Sequence, residues 1–404
     1  MTWEKVKLGD YCESIADGDH QAPPKAEYGI PFITISNFTP YNDIDFSNTL
    51  FVPEDYYNAI KPQRKAQAGD ILYSVVGSFG IPIYLKSNKK FAFQRHVAIL
   101  RPSDKINGQF LYYAMCDRSF YSQADAVAVG AAQRTVSLSA LRNMTIELPP
   151  RDVQDTIAGI LTKYDELIEN SRKQIALLEE AAQRLYREWF VDFRFPGSTS
   201  HNSLPQDWQE KTLGDTTSKF ATGLNPRKNF KLGHGNNYYI TIKNMGDNTI
   251  YLDDKCDKVD DEALAKINRR SDLQKGDLLF SGIGTIGRVH LIDEPPTNWN
   301  ISESVFTIRP KDNIPSEFMY LLLLDDAIQG YAESNAHGCA QKGIRMADLK
   351  AFKYVLPSAD IMDAFISLVG PMIKNVQNLR RLVAELVSAR DTLLPKLMSG
   401  ELKV

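Results

Sequence analysis

Glycines 282, 284 and 287 spell G-x-G-x-x-G directly after the apolar run "DLLFS". That spacing serves a dinucleotide pyrophosphate seated at a helix N-terminus. The motif needs a helix after its glycines, yet "RVHLID" from Arg288 alternates like a strand. "GCAQKG", from Gly338 to Gly343, has the spacing of a phosphate-binding loop, but Ile344 and Arg345 stand where Lys and Ser or Thr are required. There is no G-x-S-x-G elbow, no H-E-x-x-H, no N-P-P-[YF] and no carboxylate cluster at metal-ligand spacing, so neither a catalytic residue nor a metal ligand is assigned. What remains is a set of basic and amide side chains in expected loops. His20, Gln21 and Lys25 correspond loosely to Asn225, Arg227, Lys228 and Lys231. Lys61, Arg64 and Lys65 correspond to Arg269 and Arg270, and Gln94, Arg95 and His96 to Asn300 and Ser302. Arg and Lys suit phosphates and guanine, Asn and Gln suit adenine edges, so these loops are candidate DNA contacts. Taken singly, each Lys or Arg is equally a solvated surface charge.

Those correspondences exist because the chain reads twice. "WEKVKLGDYCESIADG" from Trp3 is answered by "WQEKTLGDTTSKFATG" from Trp208, and "PFITISNF" from Pro31 by "YYITIKNM" from Tyr238. "AGDILYSVVGSFG" from Ala68 is answered by "KGDLLFSGIGTIG" from Lys275, and "VAILRP" from Val97 by "VFTIRP" from Val305. "GAAQRTVSLSALRNMTIELPP" from Gly130 is answered by "GCAQKGIRMADLKAFKYVLPS" from Gly338. The first copy carries Val75, Gly77 and Gly80 in place of the three glycines, so Gly282 is not shared. A strand, a Gly turn and a second strand explain both copies, with the glycines supplying positive φ or a close backbone approach.

Each repeat holds a block of normal single-domain size, residues 1–150 and 208–357. Strand-like runs (Phe32–Ile35, Ile71–Val76, Val97–Leu100) mix with short helical patterns (Gln109–Asp117, Ser316–Leu324), which predicts an α/β fold of the α+β type with an irregular sheet. A long helix follows each block, over 151–193 and 358–404, with a Pro/Gly/Ser-rich linker at 194–207. Asp152 is placed to cap the first helix. Ile157, Leu161, Tyr164, Ile168, Ser171, Ile175, Leu178, Ala182, Leu185 and Trp189 form a coiled-coil seam. The second seam is Phe365, Val369, Met372, Val376, Leu379, Val383, Leu386, Arg390, Leu393 and Leu397. The polar exceptions, Ser171 in the first seam and Arg390 in the second, could fix register or mark a solvated gap. Pro371 and Pro395 are expected to kink or split the second helix. Matching seams favour mutual antiparallel pairing over two separate bundle helices, giving two blocks on a rod about 60 Å long. Such an object suits a partner with two sites at fixed spacing, DNA above all.

Composition allows this reading but does not require it. The 404 residues are 43% hydrophobic and 24% charged, with four scattered cysteines that suit a reducing cytoplasm rather than a disulfide framework. No apolar run is long enough to span a bilayer, and no secretory leader is expected. The net charge of −3 is unusual for a free-standing DNA binder, so any basic surface is local or supplemented by other subunits.

Together the duplicated "GDILYS" and "GDLLFSGIGTIG" segments, the "G.AQ" turns at Gln133 and Gln341 followed by "LPP" and "LPS", and the helix ends "RLYREWFVDFRFPG" and "LLPKLMSGEL" resemble the specificity subunit of type I restriction–modification enzymes. The resemblance covers essentially the whole chain. It implies two target recognition domains, each reading one half of an asymmetric bipartite double-stranded DNA site, with an antiparallel coiled coil setting the gap. It implies that two modification subunits use S-adenosylmethionine to methylate adenine, and that two restriction subunits use ATP and Mg²⁺ to cleave. The chain itself would bind no cofactor, and no membrane. Two other readings stay open at this point: a coiled-coil adaptor whose domains bind proteins, and a nucleotide-dependent enzyme.

Overall fold

The computed structural model describes residues 3–131, 133–198, 205, 207–246, 248–338 and 341–404. It divides into two units, Met1–Asn170 with Leu382–Val404, and Ser171–Arg381. The division falls inside both long helices, so each unit contains one block and a stretch of each helix.

In the first unit the strands are β1 (Glu4–Lys7), β2 (Cys12–Asp17), β3 (Ile30–Ile33), β4 (Leu50–Val52), β5 (Ile71–Ser74), β6 (Pro82–Tyr84), β7 (Ala92–Phe93), β8 (Val97–Pro102) and β9 (Thr145–Leu148). The helices are α1 (Glu54–Ala59), α2 (Gly108–Cys116), α3 (Arg118–Val127), α4 (Leu138–Asn143) and α5 (Arg151–Tyr186). In the second unit the strands are β10 (Gln209–Thr212), β11 (Thr217–Thr222), β12 (Asn237–Ile240), β13 (Met245–Gly246), β14 (Thr249–Ile250), β15 (Asp257–Val259), β16 (Leu278–Ser281), β17 (Val289–Leu291), β18 (Trp299–Ile301), β19 (Val305–Pro310) and β20 (Lys353–Leu356). Its helices are α6 (Asp261–Ser271), α7 (Ser316–Leu324), α8 (Asp326–Ser334), α9 (Met346–Lys350) and α10 (Ala359–Met398).

The sequence repeat is a repeat of topology. An antiparallel sheet ordered β2-β8-β5-β6 in the first unit is matched by β11-β19-β16-β17 in the second. A three-stranded sheet β4-β3-β7, with β3 and β7 parallel, is matched by β15-β12-β18, with β12 and β18 parallel. The ribbon β1-β9 is matched by β10-β20. Central strands β5 and β16 are buried along their whole length, as their continuous apolar runs require. The repeated "GD" and "RP" dipeptides are one device. Asp70 is 1% exposed and receives Nε (2.9 Å) and Nη2 (2.8 Å) of Arg101. Asp277 is fully buried and receives Nε (2.7 Å) and Nη2 (2.9 Å) of Arg309. A bidentate guanidinium satisfies both oxygens of a carboxylate buried at such depth. Asp117 and Asp325 also correspond: each ends one helix and caps the next by accepting a backbone N–H.

Helix α5 spans Arg151–Tyr186 and continues as a π-helical turn over Arg187–Val191. The wider turn lets consecutive Trp189 and Phe190 both face inward, each 5% exposed, against Phe365 and Phe318. Asp152 lies inside the first turn, where its charge suits the helix dipole, rather than at the cap. Helix α10 is one continuous element from Ala359 to Met398, so Pro371 and Pro395 do not split it; both lie on the exposed side, where water can satisfy the freed carbonyls. Every residue of both seams is buried or half-buried. In the first unit Ile157 and Leu161 share a core with Leu393 and Leu397. In the second, Ala182, Tyr186 and Trp189 share a core with Phe365, Val369 and Ile373. Rising numbers on α5 meet falling numbers on α10, so the helices pack antiparallel within each unit. Among the described residues, no helix is long and apolar enough to cross a membrane.

Candidate nucleic-acid interface

The three expected loops of the first unit converge beyond the end of β2. Asp17 accepts from His20 Nε2 at 2.8 Å and from Arg64 Nη2 at 3.2 Å. Asp19 lies 3.8 Å from Arg64 Nη1 and accepts the Tyr56 hydroxyl. Its backbone bridges to Phe93 and Arg95, which brings in residues 94–96. Gly18 permits this approach, because a Cβ there would lie 2.1 Å from the Phe93 carbonyl oxygen. The clustered cations are not equivalent. Arg64 and His20 are held by acids, and Lys65 donates to the Asn58 carbonyl at 2.9 Å. Gln21, Lys25, Lys61 and Arg95 are exposed, and no acid pairs with them among the described residues. Gln94 and His96 are half-buried, and burial followed by the Arg95 charge lowers the His96 pKa.

The second unit builds the same corner with different groups. Gly223 follows β11, and a Cβ there would lie 1.7 Å from the Ile301 carbonyl oxygen. Arg270 ties down Thr222 through its carbonyl (3.3 Å) and hydroxyl (3.2 Å), as Arg64 ties down Asp17. Asn225 donates to Glu303 Oε1 at 2.6 Å, and the Tyr239 hydroxyl to Glu303 Oε2 at 3.0 Å. Arg227, Lys228, Lys231 and Arg269 are exposed, and no acid pairs with them among the described residues. Asn300 and Ser302 are not on the surface. Asn300 is 1% exposed, accepts from Ser271 at 2.7 Å and donates to Asn268 at 2.6 Å; Ser302 is 2% exposed. Ser302 stands in the place of Gln94 and Asn300 in that of the buried Ala92, and helix α6 covers this edge and takes the Asn300 amide into the interior.

The glycine turns are hairpin turns, since β16 and β17 pair antiparallel, as do β5 and β6. Gly77, Gly80, Gly284 and Gly287 have φ of 71°, 94°, 88° and 90°. Each turn is pinned under a second hairpin: Gly77 N–H donates to Arg134 O at 2.9 Å and Gly284 N–H to Lys342 O at 2.7 Å. The unshared Gly282 has a packing reason. A Cβ there would lie 2.3 Å from the Phe306 ring. In the first copy Val75 takes the place of Gly282, and Ala98, paired with Tyr73 as Phe306 is with Phe280, takes the place of Phe306. A large residue has moved from one strand to its neighbour.

Sequence reading missed the polar joints between blocks and helices. In the first unit Asp165 of α5 accepts from Arg390 of α10 (2.8 Å) and from the Tyr113 hydroxyl (2.7 Å), beside Cys116 and Asn42. Burial pushes the Cys116 thiol up to about 12 and raises the Tyr113 pKa. In the second unit Glu179 of α5 accepts from Arg380 of α10, from Tyr320 (3.4 Å) and from Asn248 (3.3 Å). Asn42 and Asn248 both adopt positive φ, 55° and 53°, at corresponding loop tips. Arg390 is thus an ion-paired seam position, and Ser171 is buried at 6% exposure.

The profile of the "Type I restriction modification DNA specificity domain" family matches residues 1–180 and 205–369. The chain is 24% identical to the specificity subunit of the type I restriction enzyme MjaIX of Methanocaldococcus jannaschii, over 100% of this chain and 94% of that one. It is 21% identical to the HindI specificity subunit of Haemophilus influenzae, over 99% of each. Its fold matches the crystal structure of a type I restriction–modification S subunit from M. genitalium with a TM-score of 0.61 at 18% identity, covering 98% of this chain and 96% of that one. With the family profile matched in both repeats, the chain belongs to the type I restriction–modification DNA specificity domain family.

Proposed function

We propose that the chain recognises double-stranded DNA and confers an asymmetric bipartite target site on a type I restriction–modification complex. In this reading residues 1–150 and 208–357 are target recognition domains, each taking one half-site. Residues 151–193 and 358–404 are the spacer helices that set the gap, and 194–207 is the linker. Two modification subunits methylate adenine and two restriction subunits cleave, in the cytoplasm. S-adenosylmethionine, ATP and Mg²⁺ belong to those partners, and this chain supplies no catalytic group.

The observation that carries the reading is where the copies differ. Their frames coincide down to the Asp70–Arg101 and Asp277–Arg309 clamps, whereas the corner loops diverge in length, charge and burial. A pair of readers for two unlike half-sites needs a common scaffold and unlike loops. The exposed Lys25, Lys61 and Arg95, and Arg227, Lys228 and Lys231, supply phosphate partners. The test is binding by the chain purified with a modification subunit. Tight, salt-dependent binding to one bipartite sequence supports the reading; protein partners without sequence-selective DNA binding would replace it with the adaptor.

A further inference from the structure

Most residues shared by the two copies have a packing reason. The clamps, the turn glycines and the capping aspartates all close the fold. Gln133 and Gln341 do not. Both side chains are exposed, and neither amide has a hydrogen-bond partner among the described residues. Yet they occupy the same position of corresponding turns, closed by the antiparallel bridges Val129–Thr135 and His337–Gly343. Each hairpin is shaped around that position: Gly130 and Gly338 have φ of 117° and 120°, and a Cβ on either would lie 2.5 or 2.4 Å from the carbonyl oxygen of its glutamine. Each amide stands beside a turn glycine. Gln133 Nε2 is 3.9 Å from where a Gly77 Cβ would be, and Gln341 Nε2 is 3.4 Å from that of Gly284.

A group that differs between the copies can serve what differs between two half-sites. A group kept identical, exposed and unsatisfied serves what is the same at both. We propose that the two hairpins make a sequence-independent contact with the DNA sugar–phosphate backbone, in which the Gln133 and Gln341 amides donate to phosphate oxygens. This rests on the DNA-recognition reading above. The hairpin sequences, VGAAQRT and HGCAQKG, contain no acid, and a cation follows the glutamine in both. Arg134 is paired with Asp125, which orients the first hairpin; Lys342 is exposed. An acid-free loop with a projecting amide beside a cation suits a phosphodiester, which has only acceptors to offer.

The experiment uses the full chain copurified with its modification subunits. Two duplexes serve as probes, one carrying the methylated sequence and one scrambled. Gln133→Ala and Gln341→Ala should each weaken binding about tenfold or more, as loss of one hydrogen bond to a charged group does. The loss should be equal for both duplexes, with thermal unfolding and the methylated sequence unchanged. Gln341→Glu, isosteric but anionic, should lose more than Gln341→Ala. Binding unaltered in all three variants overturns the inference, as does a changed methylation sequence, which would mean base reading. Loss of modification subunits from the purified complex would mean a protein contact and overturns it too. A wild-type complex that binds neither duplex overturns the DNA-recognition reading itself.

Discussion

In the first unit Arg64 reaches a carboxylate, Asp17, at the end of β2; in the second Arg270 reaches a threonine, Thr222, at the end of β11. The tether survives and its chemistry changes. Gly18 and Gly223 next to these residues permit the same close approach to a neighbouring strand. One step further out, correspondence fails: Arg95 is exposed in the first unit, while Glu303, in the same place, is bound by Asn225 and Tyr239 in the second. Divergence thus grows from core to corner to loop tip, as expected when selection holds a scaffold and releases its reading edge.

The largest effect should come from what the units share. Arg101→Ala or Arg309→Ala leaves a buried carboxylate without its partner and should cost about 3–5 kcal/mol in either unit, measured by denaturant unfolding. A large destabilisation in one unit only would break the equivalence. Next comes the exchanged pair. Gly282→Val drives a side chain into Phe306 and should cost about 1–3 kcal/mol. Adding Phe306→Ala recreates the Val75/Ala98 arrangement and should recover most of that stability, read by the same unfolding measurement.

Smaller effects separate tethers from free cations. Alanine at Arg227, Lys228 and Lys231 should lower the salt slope of DNA binding by about 0.9 for each phosphate that is no longer neutralised. Arg270→Ala should instead reduce stability and leave the slope unchanged. The smallest effect is a pH difference. His290 of β17 has its pKa pushed down to about 4 by burial, with Arg380 lowering it further and the Asn248 carbonyl and Asp293 opposing. A depressed histidine favours folding above its unfolded pKa of about 6.5 and forfeits that contribution as pH falls towards about 4. The first unit has Ile83 at this register. Acid in that window should therefore weaken the second unit selectively, and His290→Leu should remove the difference in a pH-dependent unfolding series.

The frame was legible in the sequence because core strands are apolar along their length and recur at a nearly constant offset. The seam was legible because its period is fixed by helix geometry. The sequence offered His20, Arg64 and Arg95 as members of separate loops; the structure brings them to one corner, since strand ends converge there. Asn300 and Ser302 lie inside instead: setting "NISES" against "FQRH" slips by two residues, so that Asn300 takes the place of the buried Ala92, and nothing in "NISES" says that α6 lies over it. Glu179 and Asp165 were hidden for another reason. Long helices carry many acids, and only packing reveals which of them faces an arginine and a tyrosine.

The central claim is that each unit reads its own half-site. Its most direct test is a map of methylated adenines in cells whose chain carries, in place of its own residues 1–150, the segment of the MjaIX specificity subunit that aligns with them. One half of the methylated sequence should change while the other half and the gap between them stay as they were. A change in both halves, or in neither, would contradict the account.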